Sequence, residues 1–208
     1  MFDIQSIILS APAILFGLTI HEFSHGWVAW RLGDPTAKLM GRLTLNPLKH
    51  LDPIGTIALF LFRFGWAKPV PIDPRNFRHP TRDMAISSLA GPAANLLTAA
   101  VAGIILRVLD LLHVSGFASM LTSYFVMFNL ILCFFNLIPI PPLDGSRLLY
   151  HLLPPNLAAG YGRLERYGFM ILIGIILVGD LTGVSLLSLY ITPLLRVFSY
   201  IFVGRPII

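Results

Sequence analysis

The stretch SIILSAPAILFGLTIHEFSHGWVAWR, residues 6–31, decides the fold. Nearly every position before His21 is apolar, and the run is longer than the roughly 20 apolar residues a helix needs to cross a bilayer. Yet His21, Glu22 and His25 stand inside it. An ionised side chain at the bilayer centre costs roughly 2.5–3.5 kcal/mol even on lenient insertion scales. Three ionisable groups within five positions therefore need a compensating partner.

The rest of the chain is equally apolar. Of 208 residues, 56% are hydrophobic and only 12% charged, and the mean hydropathy is +0.78, outside the range of a soluble globular domain. An all-α polytopic membrane protein is expected, built as one domain over residues 1–208. The lipid bilayer is its environment. The net charge of +5 does not point to nucleic acid, because the basic residues sit in loops between apolar segments rather than on one soluble face. The single cysteine, Cys133, lies in the apolar run LILCFFNL and reads as a small buried hydrophobe. The start, MFDIQSIILS, lacks a basic n-region, so a removable signal peptide is not expected.

Five spans are predicted, within a range of four to six: 6–31, 84–109, 118–138, a shorter one at 167–179, and 184–203. Nine basic residues, from Arg31 to Arg82, separate the first two spans, whereas Arg107 stands alone beside Asp110 at the next turn. The positive-inside rule puts the long loop in the cytoplasm and the N-terminus outside. Five crossings would then leave the C-terminus, with Arg205, inside. Between the first two spans, IGTIALFLF (54–62) is too short to cross and reads as re-entrant or interfacial. The prolines of LNPLKHLDPIGT and GWAKPVPIDPRNFRHP preclude long helices and predict loop, short strand or hairpin near the membrane.

His21 and His25 are four apart, so on a helix both project from one face, a turn apart. Two such imidazoles suit one zinc ion, and Glu22, about 100° round, reaches the metal-bound water without being a ligand. This H-E-x-x-H arrangement is that of zinc peptidases, with the glutamate as acid/base. Catalytic zinc usually takes three protein ligands. A histidine after a glycine, as in metzincins, fails because Val28 and Arg31 occupy those positions. The other glutamate, Glu165, lies in a charged stretch, which turns attention to aspartates. Asp144 differs from the rest: it follows a hydrophobic span broken by Pro139, Pro141 and Pro142. Unwound backbone at membrane depth is tolerated only against protein or a water-lined cavity, and such a segment bearing a carboxylate is what a third ligand needs. His21 is ten residues from Arg31, so the site should lie roughly 15 Å from the cytoplasmic helix end.

HEFSH in an early span, AGPAANLL at 90–97 and NLIPIPPLDG at 136–145 together resemble the site-2 proteases (peptidase family M50), the intramembrane zinc metalloproteases. GRLTLNPLKHLDPIGT and GWAKPVPIDPRNFR are similar to the short prokaryotic branch. The resemblance implies one zinc per chain held by His21, His25 and Asp144, with Glu22 as catalytic acid/base, and a transmembrane protein or peptide as substrate. It also implies substrate contact by Asn136, whose alternative role is helix-end capping. Asn95 either lines the substrate site or is polar glue between helices, and Gly91, Pro92, Ala93 and Ala94 allow close helix approach. There is no room between spans for a PDZ domain, so regulation by such modules, or by CBS domains, is not expected. A prokaryotic inner membrane is the expected location.

A helical substrate hides its scissile carbonyl in a backbone hydrogen bond and must be extended before cleavage. GWAKPVPIDP is a candidate edge strand to hold it, and also reads as an interfacial loop anchored by Trp66 and Lys68. Phe60, Phe62, Phe64 and Trp66 form a candidate gate or interface anchor. His50, His79, His113 and His151 are expected to be solvated or interfacial. Two rivals remain: a metal transporter, which needs a polar trail across the whole bilayer, and a silent helix-binding scaffold, which needs no Glu22.

Overall fold

The computed structural model describes residues 4–62 and 65–207, with side chains apart from those of 59–62 and 180. The candidate gate of Phe60, Phe62 and Phe64 lies outside these described side chains. Helices follow in the order α1 (Ile4–Arg31), α2 (Thr36–Leu39), α3 (Pro53–Phe62), α4 (Pro80–Leu111), α5 (Phe117–Asn136), α6 (Asp144–Leu152), α7 (Pro155–Gly162), α8 (Glu165–Thr182) and α9 (Leu186–Val203). Among them α1, α4, α5 and α9 are long and apolar enough to cross a membrane. The all-α polytopic fold is therefore observed.

Local chemistry sets the helix ends. Pro80 opens α4 at a position where its missing N–H would be unpaired anyway, and Asp83 reaches back to accept from the His79 N–H at 3.0 Å. Ser185 caps α9 by accepting from the Ser188 N–H. Gly204 ends α9 with φ of 89°, a left-handed conformation that glycine adopts without steric cost. After α5, three prolines within four residues forbid further helix, and the chain turns before restarting at Asp144.

The core lies where α4, α5 and α9 meet. Ala99, Ala102 and Leu106 pack with Val126, Leu130 and Phe134 and with Ile191 and Leu195. Close approach is possible because α4 presents small residues there: a Cβ added at Gly103 would stand 2.7 Å from Phe202 Cβ. α1 packs across α4 and α5 on the other side.

The four helices of crossing length fall within the predicted range of four to six, and α8, which holds the predicted span at 167–179, is not among them. The end of α9 lies beside the end of α4. Arg205 pairs with Asp110 at 3.2 Å, and Arg107 donates to the Ile201 carbonyl, so α9 ends where α4 ends. Gln5, at the start of α1, reaches Met120 at the start of α5, placing the first helical turn at that same end of the bundle. At the other end, Leu172 of α8 packs with Ile138 and Leu143, and Leu187 of α9 joins the same cluster. The middle of α8 thus packs on the α5–α6 turn. Length keeps α8 out of the crossing set: Glu165, Arg166 and Asp180 fall within α8, and the 13 apolar or small residues at 167–179 span roughly 20 Å, short of the bilayer core.

The α3 segment behaves as a returning hairpin. Ten residues of helix rise only about 15 Å, and its flanks come back together: Leu51 bridges Ala67 antiparallel and the Lys68 N–H donates to the His50 carbonyl at 2.8 Å. The short strand expected in GWAKPVPIDP does not form among the described residues, which show an isolated bridge only. Pro69, Pro71 and Pro74 supply no N–H for a ladder. His50 is also corrected: it is 1% exposed, not solvated, and its Nε2 donates to the Thr44 carbonyl at 2.8 Å.

Candidate metal centre

α1 brings His21 and His25 to one face, as their spacing requires, and both are buried. Their Nε2 atoms are 3.1 Å apart. Asp144, first residue of α6, places Oδ2 3.0 Å from His21 Nε2 and 3.1 Å from His25 Nε2. Three donor atoms 119 or more residues apart in sequence on one side and one turn apart on the other thus form a nearly equilateral triangle. Ligands at about 2.0–2.1 Å from a tetrahedral zinc stand roughly 3.3 Å from one another. The triangle fits such an ion, and two imidazoles with one carboxylate are a donor set zinc accepts.

The second nitrogen of each imidazole is held by the protein. His21 Nδ1 donates to Asn95 Oδ1 at 2.7 Å, and His25 Nδ1 donates to the Ser87 carbonyl at 2.7 Å. Both partners are acceptors, so each ring keeps its Nε2 lone pair toward the triangle. Gly91 lets α4 come near: a Cβ there would stand 2.3 Å from His25 Nε2 and 2.7 Å from His21 Nε2.

Asn95 is fully buried. Besides His21 it meets the Gly17 carbonyl and Asn129 Oδ1, donating to each at 2.9 Å. These three bonds join α1, α4 and α5 through one amide. Asn129, 0% exposed, in turn donates to the Phe125 carbonyl. The sequence reasoning missed Asn129; its signal was a lone amide seven residues before Asn136 within an apolar span. Asn136 itself is half-buried at the end of α5 and donates back to the Leu132 carbonyl at 2.9 Å, a helix-end bond. Glu165 is exposed at the start of α8, and the His, Cys, Asp and Glu group able to hold a metal among the described residues is His21, His25 and Asp144.

Glu22 contributes no atom to the triangle. Its Oε2 accepts from the Val70 N–H at 2.8 Å, a contact between α1 and the GWAKPVPIDP loop. Beyond this loop opens a groove of about 790 Å³, lined by Val70, Ile72, Pro142, Ser146, Arg147 and Tyr161 among others. Burial, with the Arg147 guanidinium, pushes the His151 imidazole below its ordinary pKa. Arg147, Arg163 and Glu165 also line the groove.

Known proteins are similar to this chain. The model of peptidase family M50 matches residues 110–178. The chain is 40% identical over 200 residues to "Putative zinc metalloprotease YwhC" of Bacillus subtilis, covering 91% of this chain and 90% of that protein. It is 33% identical over 171 residues to "Putative zinc metalloprotease Rip2" of Mycolicibacterium smegmatis, covering 80% of this chain and 65% of the relative. The Rip2 of Mycobacterium tuberculosis strain H37Rv is 30% identical over 174 residues, covering 81% and 66%. No solved structure gives a significant match. A convergent His–His–Asp triangle on apolar helices, together with these relatives, shows that the chain belongs to peptidase family M50 and is a membrane-embedded zinc metalloprotease.

Proposed function

We propose that this metalloprotease cleaves peptide bonds within or beside membrane-spanning segments of other proteins. The observation that carries this reading is the depth of the triangle: His21 and His25 lie within a helix long enough to cross the bilayer, ten or fewer residues from its basic end. A soluble substrate would not reach it. A zinc ion held by this donor set would supply Lewis-acid polarisation and acidify a water toward neutral pH.

The chain's own groups do the rest. His21, His25 and Asp144 hold the ion, Asn95 and the Ser87 carbonyl fix the two rings, and Glu22 takes a proton from the water and delivers it to the leaving nitrogen. Asn136 contacts the substrate backbone, and the groove beside Val70 receives extended substrate. The basic face, carrying Arg31, Lys38, Arg42, Lys49, Lys68 and Arg147, is cytoplasmic; its relatives in bacteria support a prokaryotic cell membrane. Four crossings then put both termini outside.

Purified protein in detergent should carry about one zinc per chain. Glu22→Gln should keep that zinc and lose cleavage of a single-span substrate, whereas His21→Ala or Asp144→Ala should lose the metal. Normal cleavage by Glu22→Gln would sink the reading. A transporter would need a polar trail through the bilayer; the bonding of His21, Asn95 and Asn129 to one another supports instead a group built to hold one imidazole.

A further inference from the structure

The segment Lys68–Asp73 reads KPVPID. Because Pro69 and Pro71 carry no N–H, Val70 supplies the one backbone donor of residues 69–71, and that donor meets Glu22 Oε2 at 2.8 Å. The strap is pinned on both sides of this contact. Before it, Lys68 donates its N–H to the His50 carbonyl and accepts from Arg42 Nη2, both at 2.8 Å. After it, the Asp73 N–H donates to Asp34 Oδ2 at 2.8 Å. Arg42 and Asp34 are themselves buried.

α1 is shaped to receive the strap. Gly26 lies one turn after Glu22 on the same helix face, and a Cβ there would stand 3.0 Å from Val70 Cγ1 and 3.2 Å from Ala37 Cβ. The Val70 side chain, 6% exposed, fills that space. The glycine that follows HEFSH therefore admits the residue whose amide anchors the glutamate of HEFSH.

We propose that Val70 is a positioning residue whose backbone N–H fixes the Glu22 carboxylate for proton transfer. The inference rests on the reading of Glu22 as acid/base. A carboxylate offers two oxygens and about four lone-pair sites, so one oxygen is anchored while the other handles the proton. An unanchored glutamate samples several rotamers, of which few reach the water. Anchoring by a main-chain donor also makes the device independent of the Val70 side chain, which only has to fill the gap at Gly26.

The test separates donor from side chain. Val70 already sits between two prolines, and the residue before a proline is confined to extended backbone, so Val70→Pro removes the donor with little change of path. Wild type, Val70→Pro and Val70→Ala are compared in detergent on a synthetic single-span helix that the wild type turns over, with zinc content measured alongside. Val70→Pro should keep its zinc and its KM and lose roughly 10- to 100-fold in kcat, the range for loss of a supporting bond at a metal site. Val70→Ala, which keeps the N–H, should retain most of kcat. Should Val70→Pro fail to fold, Gly26→Val displaces the strap without altering it; kcat should fall, and Val70→Ala in the same chain should restore it. Wild-type kcat in Val70→Pro, equal losses in Val70→Pro and Val70→Ala, or a Gly26→Val loss that Val70→Ala does not relieve each overturn the inference. If Glu22→Gln is inactive while Val70→Pro is unaffected, the positioning role alone fails; if Glu22→Gln is active, the proposed function beneath it fails.

Discussion

Asn95 stands between His21 and Asn129: its Oδ1 is 2.7 Å from His21 Nδ1 and its Nδ2 is 2.9 Å from Asn129 Oδ1. A chain of side-chain hydrogen bonds thus runs from α1 through α4 to α5, and Gly17 ties it back to α1 through its carbonyl. All of these groups are buried, so the orientation of the His21 ring depends on two helices it does not belong to.

Removing the middle of this chain should loosen the metal. Asn95→Ala leaves His21 Nδ1–H without its acceptor and opens a polar gap, and zinc affinity should fall roughly 10- to 100-fold, or about 1.4–2.7 kcal/mol. Asn129→Ala should cost less, because Asn95 keeps its bonds to His21 and Gly17. Zinc retention against a graded chelator measures both; an Asn95→Ala protein that holds zinc as wild type does would contradict the assignment.

Gly91 makes the opposite kind of prediction. A methyl group there would lie 2.3 Å from His25 Nε2 and 2.6 Å from His21 Cε1, inside any permitted contact. α4 must withdraw or the rings must turn away from the triangle. Gly91→Ala should therefore lose stoichiometric zinc while remaining a folded membrane protein, since Ala is a better helix former than Gly. Metal analysis with circular dichroism on the same sample distinguishes the two effects.

Much of the site was legible because helical periodicity and bilayer energetics act on few residues. His21 and His25 share a face by spacing alone, and Asp144 stood out because prolines at 139, 141 and 142 interrupt an apolar run. What periodicity could not reveal are contacts that depend on how helices cross. Asn95 bonding His21, the Ser87 carbonyl bonding His25 and Val70 bonding Glu22 link residues 74, 62 and 48 positions apart. The packing of α8 is a contact of the same kind: Gly168 meets Pro141 so closely that a Cβ would stand 2.3 Å from its carbonyl oxygen, and hydropathy carries no trace of it.

Asp34 gives a pH prediction outside the metal centre. It is fully buried and accepts from the Thr36 N–H, the Thr36 hydroxyl, the Asp73 N–H and Asn76 Nδ2. Burial favours its neutral form, but the bonds from Thr36, Asn76 and Asp73 outweigh burial and hold its pKa below the ordinary carboxylate value. A carboxyl with a depressed folded pKa stabilises the fold above its unfolded pKa of about 3.9, and that contribution is lost as pH falls through the lower folded value. Resistance of the 66–76 loop to limited proteolysis should hold at pH 7 and decline below about pH 4. Asp34→Ala should remove the resistance at every pH, at roughly 1–3 kcal/mol for each buried donor left without an acceptor.

The pairing of Arg205 with Asp110 bears on orientation. With Arg107 bonded to the Ile201 carbonyl, three contacts hold the end of α9 to the end of α4. As an exposed pair, Arg205–Asp110 contributes little stability, so its value is geometric: the end of α9 and the start of α1 share one face of the bundle. The opposite face carries Lys38, Arg42, Lys49 and Lys68, and an excess of that size sets which side faces the cytoplasm. In whole cells, a cysteine introduced at Gly204 in a Cys133→Ser background should react with an impermeant maleimide added outside. One introduced at Lys49 should react only after the membrane is permeabilised. Five crossings would reverse the first result and leave the second unchanged, so the two labels together decide between four helices across the membrane and five.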